Sequence, residues 1–303
     1  MNIIFGPINS RRFGKSLGID LSPSKKQCNF DCLYCELAPA QTIDAYEDII
    51  SVEEIMRALN ASLGEHQDID VLTITANGEP TLYPYLSELM DQINQVKGDI
   101  KTLILSNAGN INEPSIQEAL EKFDTVKLSL DCASKRCLKR LDRANKSIEV
   151  ENIKAGMLSF KAKFTKPLII EILIVKGVND GVEEIKALNE YLRILKPTRI
   201  DIGTIDRPPA YYVEPLSYEA LRDISLMFDA SLPIYITTRK IVTGELSSYG
   251  EEAILQTLEK RPLTLADIEV LFDKESQERL ELLLKTKAIK IEHSSGHAFF
   301  VKA

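Results

Sequence analysis

From about residue 17 to residue 240, short apolar runs alternate with longer amphipathic stretches. The runs Leu17–Leu21, Val71–Thr75, Lys101–Ser106, Thr125–Leu130, Leu168–Val175 and Arg199–Thr204 are rich in Ile, Leu and Val. That composition is expected of strands buried on both faces of a parallel sheet. The stretches between them carry helix start signals. Ser51 with Glu54 fits a capping box, and Pro114 suits a first helical turn. Asp180 or Gly181 opens VEEIKALNEYLRIL, and Ser217 with Ala220 onward opens YEALRDISLMF. Six β-then-α units in series predict an α/β fold with right-handed crossovers, either doubly wound or curved into a partial barrel. In either form a functional site lies at the carboxyl ends of the strands.

After about Gly244 the pattern changes. EEAILQTLEK, TLADIEVLF and SQERLELLLKTK read as helices, and AIKIEHSSGHAFFVKA as a hairpin turning at Ser294–Gly296. That is the element order of a winged helix. The chain is therefore expected to divide into residues 1–243 and a small winged-helix-like domain at 244–303. From Glu251 to Ala303 eight Lys and Arg face ten Asp and Glu, the wrong sign for a phosphate-binding module.

Composition narrows the classes. With 303 residues and 44% hydrophobic content, the chain can bury a core without covalent staples. Its net charge of −8 argues against wholesale attraction to nucleic acid or an anionic membrane. MNIIFGPINSRRFGK places its basic residues after its apolar run, the reverse of a secretory signal, and no run is long enough to span a bilayer. A cytoplasmic protein without membrane partners is expected.

The strongest local signal is KKQCNFDCLYCELAPA. Cys28, Cys32 and Cys35 are spaced C-x3-C-x2-C with no fourth cysteine nearby. Thiolates select zinc or iron–sulfur clusters. A structural zinc site wants four protein ligands, which here would need distant Cys132, Cys137 or a histidine. Three cysteines on a tight loop can instead hold three corners of a cubane and leave the fourth iron open. Burial as small hydrophobes is opposed by the flanking Lys25, Lys26, Asn29, Asp31 and Glu36. Cys132 and Cys137, just past the fourth run, read as two ordinary thiols, with a redox or substrate-handling role as the alternative.

The spacing, with Tyr34 before its last cysteine, resembles the hallmark of the radical S-adenosylmethionine (SAM) superfamily, as does its place after SLGIDLSP. The resemblance implies a partial (β/α)6 TIM-like barrel. It implies a [4Fe–4S] cluster on Cys28, Cys32 and Cys35, with the amino and carboxylate groups of SAM as the missing ligand. Asn77-Gly78-Glu79-Pro80 stands where that family has a Gly-Gly-Glu-like turn for the SAM amino group. Gly78 would let the backbone approach, and Glu79 would offer its carboxylate to the ammonium. Asn107, after Ser106, and Ser129 and Asp131 end the next two runs and are candidates for the rest of SAM. The implied chemistry is reductive cleavage of SAM to a 5′-deoxyadenosyl radical, fed by a flavodoxin- or ferredoxin-type one-electron donor, with hydrogen abstraction from a substrate.

FGPINSRRFGKSLGIDLSP, NGEPTL and IDRPPA resemble a prokaryotic branch of wyosine-tRNA synthetase-like Fe–S oxidoreductases, over roughly residues 3–212. The tRNA enzymes of that kind carry further amino-terminal cysteines for a second cluster; no cysteine precedes Cys28, so pyruvate condensation is not expected. The substrate expectation is RNA, as in tRNA modification, or a small molecule. Arg11, Arg12 and Arg207 could hold a phosphate or carboxylate of either. The alternative is a cluster- or zinc-carrying sensor whose winged helix meets nucleic acid or protein.

Overall fold

The computed structural model describes the chain apart from residues 1–2, 11–12, 237–247, 261–262, 266–267, 270–271 and 295–296. The six apolar runs become β2 (Gly14–Asp20), β3 (Val71–Thr75), β4 (Lys101–Ser106), β5 (Thr125–Ser129), β6 (Leu168–Ile174) and β7 (Arg199–Thr204). Two further strands flank them, β1 (Ile4–Ser10) and β8 (Ile234–Ile236). All eight lie in chain order in one sheet, β1 antiparallel to β2 and every later pair parallel. β1 and β8 are its edges, so the sheet curves without closing. It is a partial barrel. Neither edge strand was expected: IFGPINS is broken by Gly and Pro, and β8 has only three residues.

The helices start where the side chains say they should. Ser51 accepts from Glu54 N at 3.2 Å to open α1 (Val52–Glu65), and Pro114 begins α3 (Pro114–Glu121), after α2 (Leu86–Val96). Gly181 precedes α6 (Val182–Leu195), after α4 (Lys135–Arg140) and α5 (Val150–Lys163). Ser217 accepts from Ala220 N at 3.2 Å to open α7 (Tyr218–Ser225), which stops short of Phe228.

One face of each strand is a core and the other is not. Leu72, Ile74, Val126, Leu128, Ile170 and Ile200 are wholly buried and share one hydrophobic cluster with Leu59, Ile93, Leu120, Phe160 and Leu188 of the helices. Each such side chain contributes roughly 1.5–3 kcal/mol by leaving water. The alternate residues line a lumen of about 480 Å³, among them Ser16, Thr73, Leu103, Lys127, Glu171 and Gly203. The strands are buried on both faces as expected, Lys127 and Asp201 included, but the lumen face carries polar and charged side chains that their apolar composition did not foretell. In a closed barrel, branched apolar side chains fill this space. Here Lys127 Nζ stands 2.5 Å from Glu171 and 3.5 Å from Asp201, whose carboxylate also takes Arg199 Nε at 2.6 Å. Charges buried to this degree persist only when paired.

At the carboxyl end, α8 (Glu251–Lys260), β9 (Leu263–Thr264), the helix Lys274–Lys285, β10 (Ile289–Ser294) and β11 (His297–Lys302) surround a second core. It includes Ile254, Leu258, Phe272, Leu280, Leu283 and Phe299. The strands form an antiparallel sheet in the order β10–β11–β9. Thr264, expected in a helix, lies in β9; part of TLADIEVLF and the tip of the hairpin turn lie outside the described residues. This unit touches the barrel where Tyr249 Oη donates to Pro7 O at 2.7 Å, and Thr257 reaches the lumen wall.

Gly156 shows what the outer layer demands. A Cβ there would stand 2.6 Å from Asn112 N, so α5 can lie on the loop after β4 only with Gly at this point. Helix propensity alone predicts that Gly156→Ala stabilises by about 1 kcal/mol. The clash, worth about 1–3 kcal/mol, decides the sign. Urea unfolding of this variant should show a net loss of stability.

Candidate functional site

Beyond Asp20 the chain leaves the sheet for a long loop, residues 21–51, with neither helix nor strand. A loop carrying ligands keeps its shape only if its peptide groups find partners, and these come from the strand ends. Buried Asp20 accepts from Ser22 N at 2.9 Å and from Asn77 N at 3.0 Å, joining the start of the loop to the turn after β3. Gln27 N donates to Asn77 O at 2.8 Å, and Glu79 N to Gln27 O at 2.9 Å. The Gln27 side chain, 1% exposed, then draws in the far arm. Its Oε1 accepts from Glu47 N and Asp48 N, while its Nε2 donates to Ser22 Oγ and Asp48 O.

Gly78 sits inside this ladder. Its φ is +139°, and a Cβ would fall 1.8 Å from Gln27 O. Glycine is thus required by the cysteine loop lying across it. The close approach expected at this residue is made by the protein's own backbone.

Cys28, Cys32 and Cys35 are all free and half-buried. Among the described residues the three-ligand group whose atoms lie within 4.8 Å of one another is Cys132, Cys137 and Glu184. The three loop sulfurs do not all lie within 4.8 Å of one another. Burial raises all three: Cys28 is pushed up to about 12 with help from the Glu79 charge, Cys32 well up with help from Asp142, and Cys35 up as well. Thiols in such a setting become thiolates by binding cations, and three free cysteines on one loop suit three irons of one cluster. Phe30 N at 3.4 Å and Asn107 Nδ2 at 3.6 Å already donate to the Cys28 sulfur. The residues present fit a [4Fe–4S] cluster with one iron lacking a cysteine.

The other predicted residues gather around this loop, with their side chains in unexpected employment. Glu79 is 1% exposed, and its carboxylate accepts from Thr81 N, Thr81 Oγ1, Ser106 Oγ and Asn107 N at 2.7–2.9 Å. Burial still raises its pKa against those bonds. It is engaged by protein donors, and Asn77 rather than Glu79 lines the lumen. Asn107 links the end of β4 to the loop through Asn29 Oδ1 at 2.7 Å. Asp131 is also internal: Tyr34 Oη donates to it at 2.5 Å and Leu173 N at 2.7 Å. Burial pushes Asp131 up to about 7. Ser129 shares a small cavity of about 10 Å³ with Tyr34, Asp131 and Asp142. Arg207 grips Glu36, next to Cys35, with Nη1 at 2.9 and 3.1 Å from its two oxygens. Arg11 and Arg12 lie outside the described residues.

Several residues of this site were not singled out from the sequence. Asp31 receives Tyr211 Oη at 2.5 Å, Lys26 Nζ at 3.1 Å and Arg143 Nη2 at 3.4 Å, while Ala210 N donates to Cys35 O at 2.8 Å. The loop after β7 is thereby strapped to the cysteines. Asp142, whose Oδ1 is buried without a partner, takes the Cys32 thiol. An acid closing an apolar strand, as in LGIDLSP, was the available signal for Asp20; nothing local marks Asp142. The reading of Cys132 and Cys137 as ordinary thiols is corrected, because they are joined in a disulfide. Both are buried, and α4 brings Cys137 back over Cys132, a return that six residues of sequence do not reveal.

Against known proteins, the description "Radical SAM superfamily" matches residues 23–192, a span running from the cysteine loop through most of α6. The chain belongs to the radical SAM superfamily. A "UPF0026 protein" of Helicobacter pylori (strain J99) is 41% identical over 302 residues, covering 98% of this chain and 97% of that protein. Among solved structures, Streptococcus suis SuiB bound to precursor peptide SuiA aligns with a TM-score of 0.57 at 19% identity, covering 73% of this chain and 48% of SuiB. A radical SAM methyltransferase from Sphaerobacter thermophilus gives 0.56 at 16% identity, with 74% and 67% covered. At such identities the structures show a shared fold. As a radical SAM protein the chain is an enzyme whose cofactors are a [4Fe–4S] cluster and SAM. No helix among the described residues is long and apolar enough to cross a membrane.

Asp131 gives a pH signature. Between the ordinary carboxylate range and about 7 the folded chain holds a proton that the unfolded chain releases. That contribution is fully present at low pH and is lost as pH rises through about 7. Asp131→Asn keeps the acceptor for Leu173 N. Stability followed by urea unfolding across this window should fall less steeply in the variant than in the wild type.

Proposed function

We propose that this radical SAM protein cleaves SAM reductively at a cluster held by Cys28, Cys32 and Cys35, and directs the resulting radical at a substrate in the barrel lumen. The observation that carries the reading is the braced loop of three free thiols at the carboxyl ends of the strands, with the lumen wall reaching Glu36 beside Cys35. When bound, the reduced cluster supplies the electron that turns SAM into methionine and a 5′-deoxyadenosyl radical. The chain's residues do the rest. Gly78 and Gln27 fix the loop, and Glu79 holds the Asn77–Gly78 turn and the end of β4 in register, so that the turn's backbone meets the SAM amino group. Asn107 donates to the Cys28 sulfur and tunes it. Tyr34 and Asp131 lock the loop to β5, and Ser129 remains the hydroxyl for the rest of SAM.

The lumen supports a substrate class. Its wall carries Asp20, Glu36, Glu171 and Asp206 against Lys127 and Arg207. Both cations are already paired with carboxylates. An acid excess suits the sulfonium and ammonium of SAM, and beside them an uncharged or cationic reacting group. A nucleobase edge of an RNA and a small molecule both qualify; Arg207, expected to hold a phosphate or carboxylate of the substrate, is engaged by the Glu36 carboxylate.

Anaerobic loading with iron and sulfide, reduction with dithionite and addition of SAM should yield 5′-deoxyadenosine. The Cys28→Ala/Cys32→Ala/Cys35→Ala variant should yield none. Retention of tightly bound zinc in place of iron, with no product, would favour a zinc-carrying sensor.

A further inference from the structure

The segment after β5, KRCLKRLDRANK, places Lys135, Arg136, Lys139, Arg140, Arg143 and Lys146 within twelve residues, against one acid, Asp142, which is buried. All six cations are exposed. The remainder of the chain holds thirty-one of the 37 basic residues and forty-four of the 45 acidic ones, so this patch stands out from a strongly acidic molecule. Lys135 pairs with Glu149 at 2.8 Å, and Arg143 reaches Asp31 while lying 4.7 Å over the Tyr211 ring. Arg136, Lys139, Arg140 and Lys146 have no carboxylate partner among the described residues.

The patch is built onto the cysteine loop. Asp31 N donates to Asp142 O at 3.1 Å, Leu33 N to Leu141 O at 2.9 Å, and Asn145 N to Asn29 O at 2.8 Å. One layer of backbone hydrogen bonds separates the exposed cations from the peptide that carries Cys28 and Cys32. A strong field of one sign beside a redox centre raises the encounter rate of an oppositely charged partner 10- to 10³-fold. It does so without occupying the lumen, where the substrate sits.

We propose that α4 and the turn after it form the docking surface of an acidic one-electron carrier protein; the proposal rests on the radical SAM reading above. The carrier gives up one electron and is oxidised by one. The cluster accepts that electron, and no bond or proton changes hands at the surface. A nucleic acid is the less fitting occupant. The cations span about two turns of chain, the carboxyl-terminal unit has excess acid, and the lumen cations are neutralised, so the described residues offer no continuous track for a phosphate backbone.

The test is Arg136→Glu/Lys139→Glu/Arg140→Glu in the cluster-loaded enzyme, with 5′-deoxyadenosine formed under reduced flavodoxin or under dithionite. The flavodoxin KM should rise about tenfold or more, and its dependence on salt should weaken. The dithionite-driven rate should stay unchanged, and Arg136→Lys/Arg140→Lys should behave as wild type. Equal loss with both reductants, or no loss with flavodoxin, overturns the proposal. So does lost retention of bulk tRNA with the flavodoxin rate intact. Binding of oxidised flavodoxin without SAM reads the surface independently of turnover: about tenfold weaker binding by the charge-reversed protein supports the docking surface, and equal affinity overturns it. If wild type cleaves no SAM with dithionite, the proposed reductive cleavage fails while this binding comparison still decides the surface.

Discussion

Three thiolates that serve separate metal atoms must be spread across an irregular loop, and an irregular loop cannot satisfy its own peptide groups. Everything at the top of this barrel answers that constraint. Gln27 is the hinge of the answer: its backbone bridges to Asn77 and Glu79, and its side chain gathers Ser22, Glu47 and Asp48. The bridge admits only glycine at position 78. The ends of β2, β3, β4 and β5, through Asp20, Glu79, Asn107 and Asp131, each take part of the load.

The same constraint explains why so many acids are buried around the thiols. Asp20, Glu79, Asp131 and Asp142 are each at most 4% exposed. In water-free surroundings a carboxylate survives by accepting several hydrogen bonds or by keeping its proton. Glu79 does the first with four donors, and Asp131 approaches the second. These groups make the loop stiff before any cofactor arrives, which lowers the entropy to be lost on binding. The strap from β7, with Arg207 on Glu36 and Tyr211 on Asp31, adds the outer wall.

The barrel was legible because its strands stand out as short apolar runs between amphipathic stretches and its helices open on side chains that cap them, as Ser51 and Ser217 do. β1 and β8 were not, since one is interrupted by Gly6 and Pro7 and the other is too short to hold a pattern. The cysteine spacing announced the metal chemistry. It could not announce that Glu79 and Asp131 turn inward, because side-chain direction at a strand end depends on which loop lies above it. Nor could it foresee Lys127 in TVKLSL as a lumen residue: a single Lys in an apolar run reads as an edge or an error until its neighbours Glu171 and Asp201, from two other strands, are seen beside it. Asp142 and the Cys132–Cys137 disulfide depend on the path of α4, which carries no long-range signal.

The proposed cluster site on this loop leaves one iron open for SAM. The most direct measurement is the EPR spectrum of the reduced, reconstituted protein before and after SAM is added. Direct coordination of SAM predicts a clear shift in the g-values of the cluster signal, with S-adenosylhomocysteine or methionine giving spectra distinct from it. A spectrum that SAM leaves unchanged while calorimetry shows SAM bound would contradict the open-corner assignment.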